Sequence, residues 1–227
     1  MPPGADDQGW EGATLGDVIA ASVLLALLAP LAYRTAAALA AGGHGLALAA
    51  ALLLGVLAAD FVGGCVHWLA DTFFAEDTPL IGKVLIEPFR EHHRDPLAMT
   101  RRSFLRVGNS NVVATSVMLV VVWYWRRGSA PGVFTDAWIT TLAGALWLTN
   151  QFHKWAHVSR VPPAVAWLQA TGLILTPARH ARHHTGSHTR GFCVTNGWLN
   201  PVLDRVGVFT AAERLIRARK ATRAFDA

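Results

Sequence analysis

Apolar residues fall in four long runs along this chain, and the polar positions are bunched between them. Val18 to Tyr33 carries no charge and continues past Arg34 through an alanine-rich stretch to Ala41. Gly42-Gly43-His44-Gly45 then signals a turn. Leu46 to Ala70 is broken only by Asp60 and His67. Asn111 to Trp125 ends at Arg126-Arg127, and Val133 to Phe152 holds Asp136. A helix that crosses a bilayer needs about 20 mostly apolar residues, and runs without a polar stripe have no face to show water. The pattern predicts an all-α polytopic membrane protein with about four transmembrane helices, at about 18–41, 46–70, 108–125 and 133–152. Residues 1–17 read as an N-terminal tail, 18–204 as the membrane domain, and 205–227 as a basic C-terminal tail. The segment 162–176 is too short to cross. It reads either as an interfacial or re-entrant helix beneath the headgroups or as a core helix of a cytosolic cap.

Composition narrows the class further. Hydrophobic residues make up 52% of the 227 positions and charged residues 15%, against about 25% charged in an average soluble domain. That excludes a disordered chain, a collagen-like fibre and a coiled coil. Two cysteines, Cys65 and Cys193, exclude a disulfide framework and a four-cysteine metal site. The net charge is +5. The basic residues flank apolar segments, so the partner they suit is a membrane surface and not nucleic acid. Residues 71–110 hold six Lys/Arg and 153–227 hold eleven, leaving Arg34, Arg126 and Arg127 for the other loops. Positively charged loops stay cytoplasmic. An integral, multi-pass protein is expected, with both polar segments and the C-terminus in the cytosol (the inner membrane in a bacterium). The acidic start, with Asp6, Asp7, Glu11 and Asp17, is wrong for a secretory signal.

The chemistry points to histidine. Nine of the ten histidines lie in or beside the segments placed at the cytosolic face: His67, His92, His93, His153, His157, His180, His183, His184 and His188. His44 sits alone in the glycine turn. His67 has Asp71 four residues on, and His153 and His157 share the same spacing, which puts each pair on one helix face. Two imidazoles one turn apart can hold one metal. A buried neutral imidazole is costly when unpaired, and no ordinary core needs eight on one plane. With no cysteine in the group, thiolate zinc and iron–sulfur sites are out. Eight nitrogens divide over two metals, and imidazole suits iron, zinc, copper and nickel. Two irons with open positions can use O2 against an unactivated C–H bond, and a site at the bilayer surface suits a lipid chain. Asp60, His67 and Asp71 form one stripe of the second run. Asp71 reads as a ligand or the orienter of one, and Asp60 as an orienter or as a buried polar residue paired with another helix. Asn150, three residues before His153, is a further candidate for orienting a ligand.

Several strings then resemble a known family. They are Ala59-Asp60-Phe61-Val62-Gly63-Gly64-Cys65-Val66-His67-Trp68 with Asp71-Thr72, Pro88-Phe89-Arg90-Glu91-His92-His93, and Thr149-Asn150-Gln151-Phe152-His153-Lys154-Trp155-Ala156-His157. His180-Ala181-Arg182-His183-His184, His188 and Cys193-Val194-Thr195-Asn196-Gly197-Trp198-Leu199-Asn200-Pro201 complete the set. Together they resemble the Kua/CarF family of plasmanylethanolamine desaturases, whose plant relatives desaturate palmitate on phosphatidylglycerol. The resemblance implies a membrane non-haem di-iron desaturase that takes a 1-O-alkyl ether phospholipid to its 1-O-alkenyl form with O2 and two electrons. The electrons would come from a ferredoxin-like or cytochrome donor with its reductase. It implies iron ligation by His67, His92, His93, His153, His157, His180, His183 and His184, with His188 a ligand or close to one, and no catalytic side chain beyond the ligands. Animal members carry a histidine where this chain has Arg102, so that position is not an essential ligand.

Arg90, Arg94, Arg101 and Arg106 are candidates to grip the lipid phosphate, or are simply the charge of a cytosolic loop. Two rival functions stay open. One is desaturation or hydroxylation of another lipid, such as an acyl chain of phosphatidylglycerol. The other is a histidine-lined metal transporter, which would need its histidines strung along a path through the bilayer.

Overall fold

The computed structural model describes residues 10–127 and 132–225. In chain order its α-helices are α1 (Leu15–Ala41), α2 (Gly45–Thr72), α3 (Glu87–Arg94), α4 (Phe104–Trp125), α5 (Val133–His157), α6 (Pro163–Ala170), α7 (Pro177–His184), α8 (Asn200–Val206) and α9 (Val208–Phe225). The long helices α1, α2, α4 and α5 form a bundle in which α5 packs against the other three, parallel to α2 and antiparallel to α1 and α4. Leu24, Leu28 and Leu31 of α1, Val112 and Leu119 of α4, and Ile139 and Ala143 of α5 make its core.

Three helices, α1, α2 and α4, are long and apolar enough to cross a membrane. The fourth predicted span, α5, has similar length at 25 residues but is more polar. Its central position accounts for that, because much of its surface meets protein instead of lipid. Its threonines return their hydroxyls to their own helix: Thr140 to the Asp136 carbonyl at 2.7 Å, Thr141 to Ala137 at 2.8 Å and Thr149 to Ala145 at 2.8 Å. At the far end Asp136 is buried between Arg34 at 2.8 Å and Arg126 at 2.5 Å, which ties α1, α4 and α5 together. Exposed apolar side chains such as Leu52, Leu53, Val117 and Val120 cover the outer faces, as lipid contact requires. Exposed aromatics mark both ends, with Tyr33, Tyr124 and Trp125 far from the histidines and Trp10 and Trp167 near them.

Two helices begin earlier than hydropathy suggests, because capping sets the start. The Thr14 hydroxyl accepts from Asp17 N at 3.2 Å, while Asp17 Oδ2 accepts from Thr14 N at 2.8 Å. That capping box starts α1 at Leu15. Ser103 caps α4 with a single bond, its hydroxyl accepting from Arg106 N at 3.4 Å, so Arg106, Asn109 and Ser110 are helical although polar. The short α6 buries Val165 and leaves Trp167 exposed, as is Leu173 just beyond it, which suits an interfacial element. The segment read as a basic tail carries α9. Phe209, Ala212 and Ile216 dock it on Trp68 and Phe192.

Glycine sets the closest helix approach. A Cβ on Gly55 would lie 2.7 Å from Thr141 Cβ and 3.0 Å from the Trp138 carbonyl oxygen, so α2 and α5 meet where only glycine fits. Gly55→Ala is expected to destabilise the bundle by about 1–3 kcal/mol through overpacking. Gly144→Ala, with nothing within 4 Å of its Cβ, should instead gain about 0.5–1 kcal/mol from helix propensity. Thermal unfolding in detergent distinguishes the two.

Candidate metal centre

The histidine-bearing ends of α2 and α5 are covered by a cap made from residues 73–103 and 158–225. Its deepest part is not helical: Gly191 to Gly197 are all buried. A buried irregular segment must find partners for every amide, and Asp60 accepts from three of the seven and from Leu199 just beyond. Asp60 Oδ1 accepts from the amides of Thr195 at 3.1 Å, Asn196 at 3.0 Å and Gly197 at 3.0 Å, and Oδ2 accepts from Leu199 at 3.2 Å. Asn200 exchanges two hydrogen bonds with the Cys193 backbone, at 2.9 and 2.8 Å. Asp60 therefore holds the cap to α2 and does not orient an imidazole directly. Asn150 likewise turns to α4, donating to the Val107 carbonyl at 3.1 Å. Burial pushes the Cys193 thiol above its ordinary range, so it stays a neutral packing group.

Above this anchor the histidines converge. His92, His153, His157, His180 and His184 place one nitrogen each within 4.8 Å of one another. His67, Asp71, His93 and His183 form a second group, and His93, His184 and His188 a third. The first two groups adjoin, with 6.2 Å between the His67 and His153 ring centroids and 6.0 Å between those of His180 and His183. All eight imidazoles read as ligands are brought together here, with Asp71 and His188 beside them. His188 holds a positive φ of 54°, a strained conformation for a non-glycine residue next to a site.

Four Nε2 atoms form a closed ring of contacts: His153 to His92 at 3.0 Å, His92 to His184 at 2.9 Å, His184 to His180 at 2.9 Å and His180 to His153 at 2.8 Å. In a neutral imidazole Nε2 carries either a proton or a lone pair, never both. At most two of those four contacts can therefore be hydrogen bonds. A cation at the centre of the ring removes the conflict. Nitrogens about 2.1 Å from a first-row metal and at right angles stand about 3 Å apart, which matches the ring.

In the second group Asp71 Oδ2 lies 3.3 Å from His67 Nε2, 3.2 Å from His93 Nε2 and 3.5 Å from His183 Nε2. His67 Nδ1 donates to the Phe192 carbonyl at 3.0 Å, and His183 Nδ1 donates to the Arg190 carbonyl at 2.9 Å. Those bonds fix the tautomers and turn both Nε2 lone pairs inward. His67 Nε2 and both Asp71 oxygens are buried without a hydrogen bond among the described residues. The donor set, nitrogen-rich with one carboxylate, fits a pair of first-row metals.

Protonation favours the same reading. Burial first, and neighbouring histidines second, hold His92 down to about 2 and His184 to about 4. Burial also brings His183 down to about 3 and lowers His180 well below the ordinary value. These rings are neutral at pH 7, with lone pairs to offer. Imidazoles of an unfolded chain titrate near 6.5, so below about 6.5 the unfolded state binds more protons than the folded one. Stability of the metal-stripped protein is expected to fall as pH drops from about 6.5 towards about 4. A lower melting temperature at about pH 5 than at about pH 7.5 is the check, and an unchanged one contradicts it.

The arginines differ in what they face. Arg90 donates to the Phe74 carbonyl at 2.9 Å and lines a cavity with Asp71, His93 and His188, while Arg94 pairs with Glu76 at 2.6 Å and Arg101 pairs with Asp95 at 2.7 Å. Arg106 instead faces a cavity that reaches His92 and His153. Arg102, which sequence reasoning set aside, faces the same cavity. Nothing in the spacing distinguished these two from the rest. Their position emerges only when α3 folds against α4.

Comparison with known proteins gives the family. The lipid desaturase domain matches residues 56–225. The plasmanylethanolamine desaturase of Myxococcus xanthus is 43% identical over 170 residues, covering 74% of this chain and 60% of that protein. Plasmanylethanolamine desaturase 1 of Mus musculus is 38% identical over 174 residues, covering 73% and 64%. The chloroplastic fatty acid desaturase 4 of Arabidopsis thaliana is 35% identical over 161 residues, covering 70% and 48%. The chain thus spans about half to two thirds of the length of these curated relatives. No solved structure matches.

Proposed function

The chain belongs to the lipid desaturase family, and from that premise we propose that it is an O2-dependent di-iron oxidoreductase converting 1-O-alkyl ethanolamine phospholipid to the vinyl ether. The observation that carries the reading is the convergence of eight imidazoles and Asp71 at one end of a membrane helix bundle. His92, His153, His157, His180 and His184 are read as holding one iron, and His67, Asp71, His93 and His183 the other, with His188 beside the second. Iron held there supplies, with O2 and two electrons, the power to remove two hydrogens from the two chain carbons next to the ether oxygen. The balance is one alkyl ether, O2, two electrons and two protons giving one vinyl ether and two waters.

The protein contributes position, charge and dryness. Phe192 and Arg190 carbonyls fix two imidazoles through their Nδ1 protons. Asp60 keeps the cap closed over the cluster, and the burial of His67, His153, His180 and His183 keeps water from it. The working unit is read as residues 18–204 with α9 docked on it. The histidine end is read as cytosolic, since most basic residues lie there, and a soluble ferredoxin-like or cytochrome donor would deliver electrons from that side.

The test is lipid analysis of a host that makes no vinyl ethers, fed alkyl ether lipid, with and without the gene. An acid-labile alkenyl chain on ethanolamine lipid is expected. An acid-stable double bond on phosphatidylglycerol would move the substrate to the acyl class that the Arabidopsis thaliana relative's name suggests. Metal flux in vesicles without any lipid product would replace the enzyme by a transporter.

A further inference from the structure

The cavity between α3, α4 and α5 has a volume of about 400 Å³ and walls of opposite charge. Glu87 and Glu91, one turn apart on α3, line one side. Arg102, just before α4, and Arg106, in its first turn, line the facing side, where Arg102 reaches across to Glu91, and His92 and His153 lie at its inner end. Lys83 also lines the cavity.

The two arginines already face three carboxylates, those of Glu11, Glu91 and the buried Asp17, whose Oδ1 lies 3.6 Å from Arg106. Glu11 Oε2 accepts from Arg102 Nε at 3.1 Å and from Arg106 Nε at 3.4 Å, while Arg102 Nη2 donates to Glu91 Oε2 at 2.8 Å. Burial would raise the Glu11 carboxyl, yet the two guanidiniums outweigh that and keep it below the ordinary carboxylate range. Glu11 is 43% exposed in its side chain and lies outside the family-matched region. Its side chain is therefore a displaceable carboxylate on a guanidinium pair that itself lines the cavity of His92 and His153.

We propose that this cavity seats a zwitterionic phospholipid headgroup, with its phosphate on Arg102 and Arg106 in place of Glu11 and its cationic amine on Glu87 and Glu91. The inference rests on the lipid desaturase reading for the presence of a phospholipid, and on the charge pattern for the headgroup. A glycerol headgroup would satisfy the arginines with the same phosphate charge but would offer the two carboxylates only neutral hydroxyls. A headgroup with both signs meets a complement on each wall. The volume suits a headgroup with its glycerol rather than a whole lipid, which leaves the chains on exposed apolar residues of α4 such as Phe104, Val113 and Val117. Only the glycerol separates a seated phosphate from the ether carbon, so anchoring the one fixes the reach of the other towards His153.

Native mass spectrometry of the purified full chain tests this independently of turnover. The protein is offered equimolar ethanolamine and glycerol phospholipids, and the bound species are counted. The wild type should retain the ethanolamine lipid about tenfold over the glycerol lipid, a difference of about 1.4 kcal/mol. Glu87→Gln together with Glu91→Gln should erase that preference without lowering the glycerol lipid. Arg106→Gln should lower both, and Glu11→Gln should raise both. Glu87 is exposed, so Glu87→Gln alone carries the test if the double variant misfolds, with part of the preference lost. A preference that survives removal of both carboxylates, or an Arg106→Gln variant that binds both lipids as before, overturns the seat. If the preference holds but no vinyl ether forms in the host, the desaturase reading fails and the seat stands. If vinyl ether forms equally on both headgroups, the seat fails and the desaturase reading stands.

Discussion

His153→Ala is expected to abolish turnover, with a loss of at least about a hundredfold, since even groups that only orient a metal ligand cost about 10–100-fold. His153 is a member of the nitrogen ring, 3.0 Å from His92 Nε2 and 2.8 Å from His180 Nε2, and its ring also faces His67 of the second group. Its removal takes away a donor from one site and a wall between the two. Iron content should fall from about two per chain towards one. His44→Ala is the control, because His44 lies in the exposed turn before α2 at the opposite end of the bundle, and it should keep full activity. Full activity in His153→Ala would remove the ring from the chemistry altogether. The readouts are vinyl ether formation and metal analysis on the same preparation.

Asp60→Ala should be the most damaging substitution for the fold. It strips the partner from four backbone amides, those of Thr195, Asn196, Gly197 and Leu199. Each buried donor left unsatisfied costs about 1–3 kcal/mol, and the net stability of a domain is only about 5–15 kcal/mol. The loss propagates to the metal centre, because the same cap segment carries the Phe192 carbonyl that fixes the His67 tautomer. The variant is therefore expected to lose iron and to melt far below the wild type, or to fail to accumulate. Asp60→Asn should be milder. It keeps an acceptor for the three amides on Oδ1 and turns an amide N–H towards Leu199 N, so one contact fails instead of four. A wild-type melting temperature in Asp60→Ala would show that the cap is held by something else.

The membrane helices and the ligand-type residues were legible in the sequence for a simple reason. Runs such as Leu46 to Ala70 announce a lipid environment residue by residue, and His153 and His157 declare a shared face by spacing alone. Convergence of the remaining histidines followed from placing every helix end at one depth. What spacing could not deliver was partnership across the fold. Asp60 sits on the same stripe as His67 and Asp71, which suggested work on an imidazole, yet its carboxylate meets a loop more than a hundred residues away in sequence. No local pattern encodes that. Arg102 was set aside because a histidine was absent there, while Arg90, Arg94 and Arg101 looked equivalent to Arg106. Only the folded packing separates Arg94 and Arg101, paired at the surface, from Arg102 and Arg106, which face the cavity of His92 and His153, and from Arg90, which lines a second cavity beside His93. Helix starts at Leu15 and Phe104 were hidden because capping by Thr14 and Ser103 outweighs hydropathy at helix ends.

The central claim is that two adjoining histidine groups hold a pair of irons. Mössbauer spectroscopy, with metal quantitation, of protein purified from cells grown on enriched iron tests it most directly. Convergence of the two groups predicts about two irons per chain, both in nitrogen-rich surroundings and magnetically coupled to one another. A preparation that is active with one metal per chain, or with zinc filling the cluster, would contradict it.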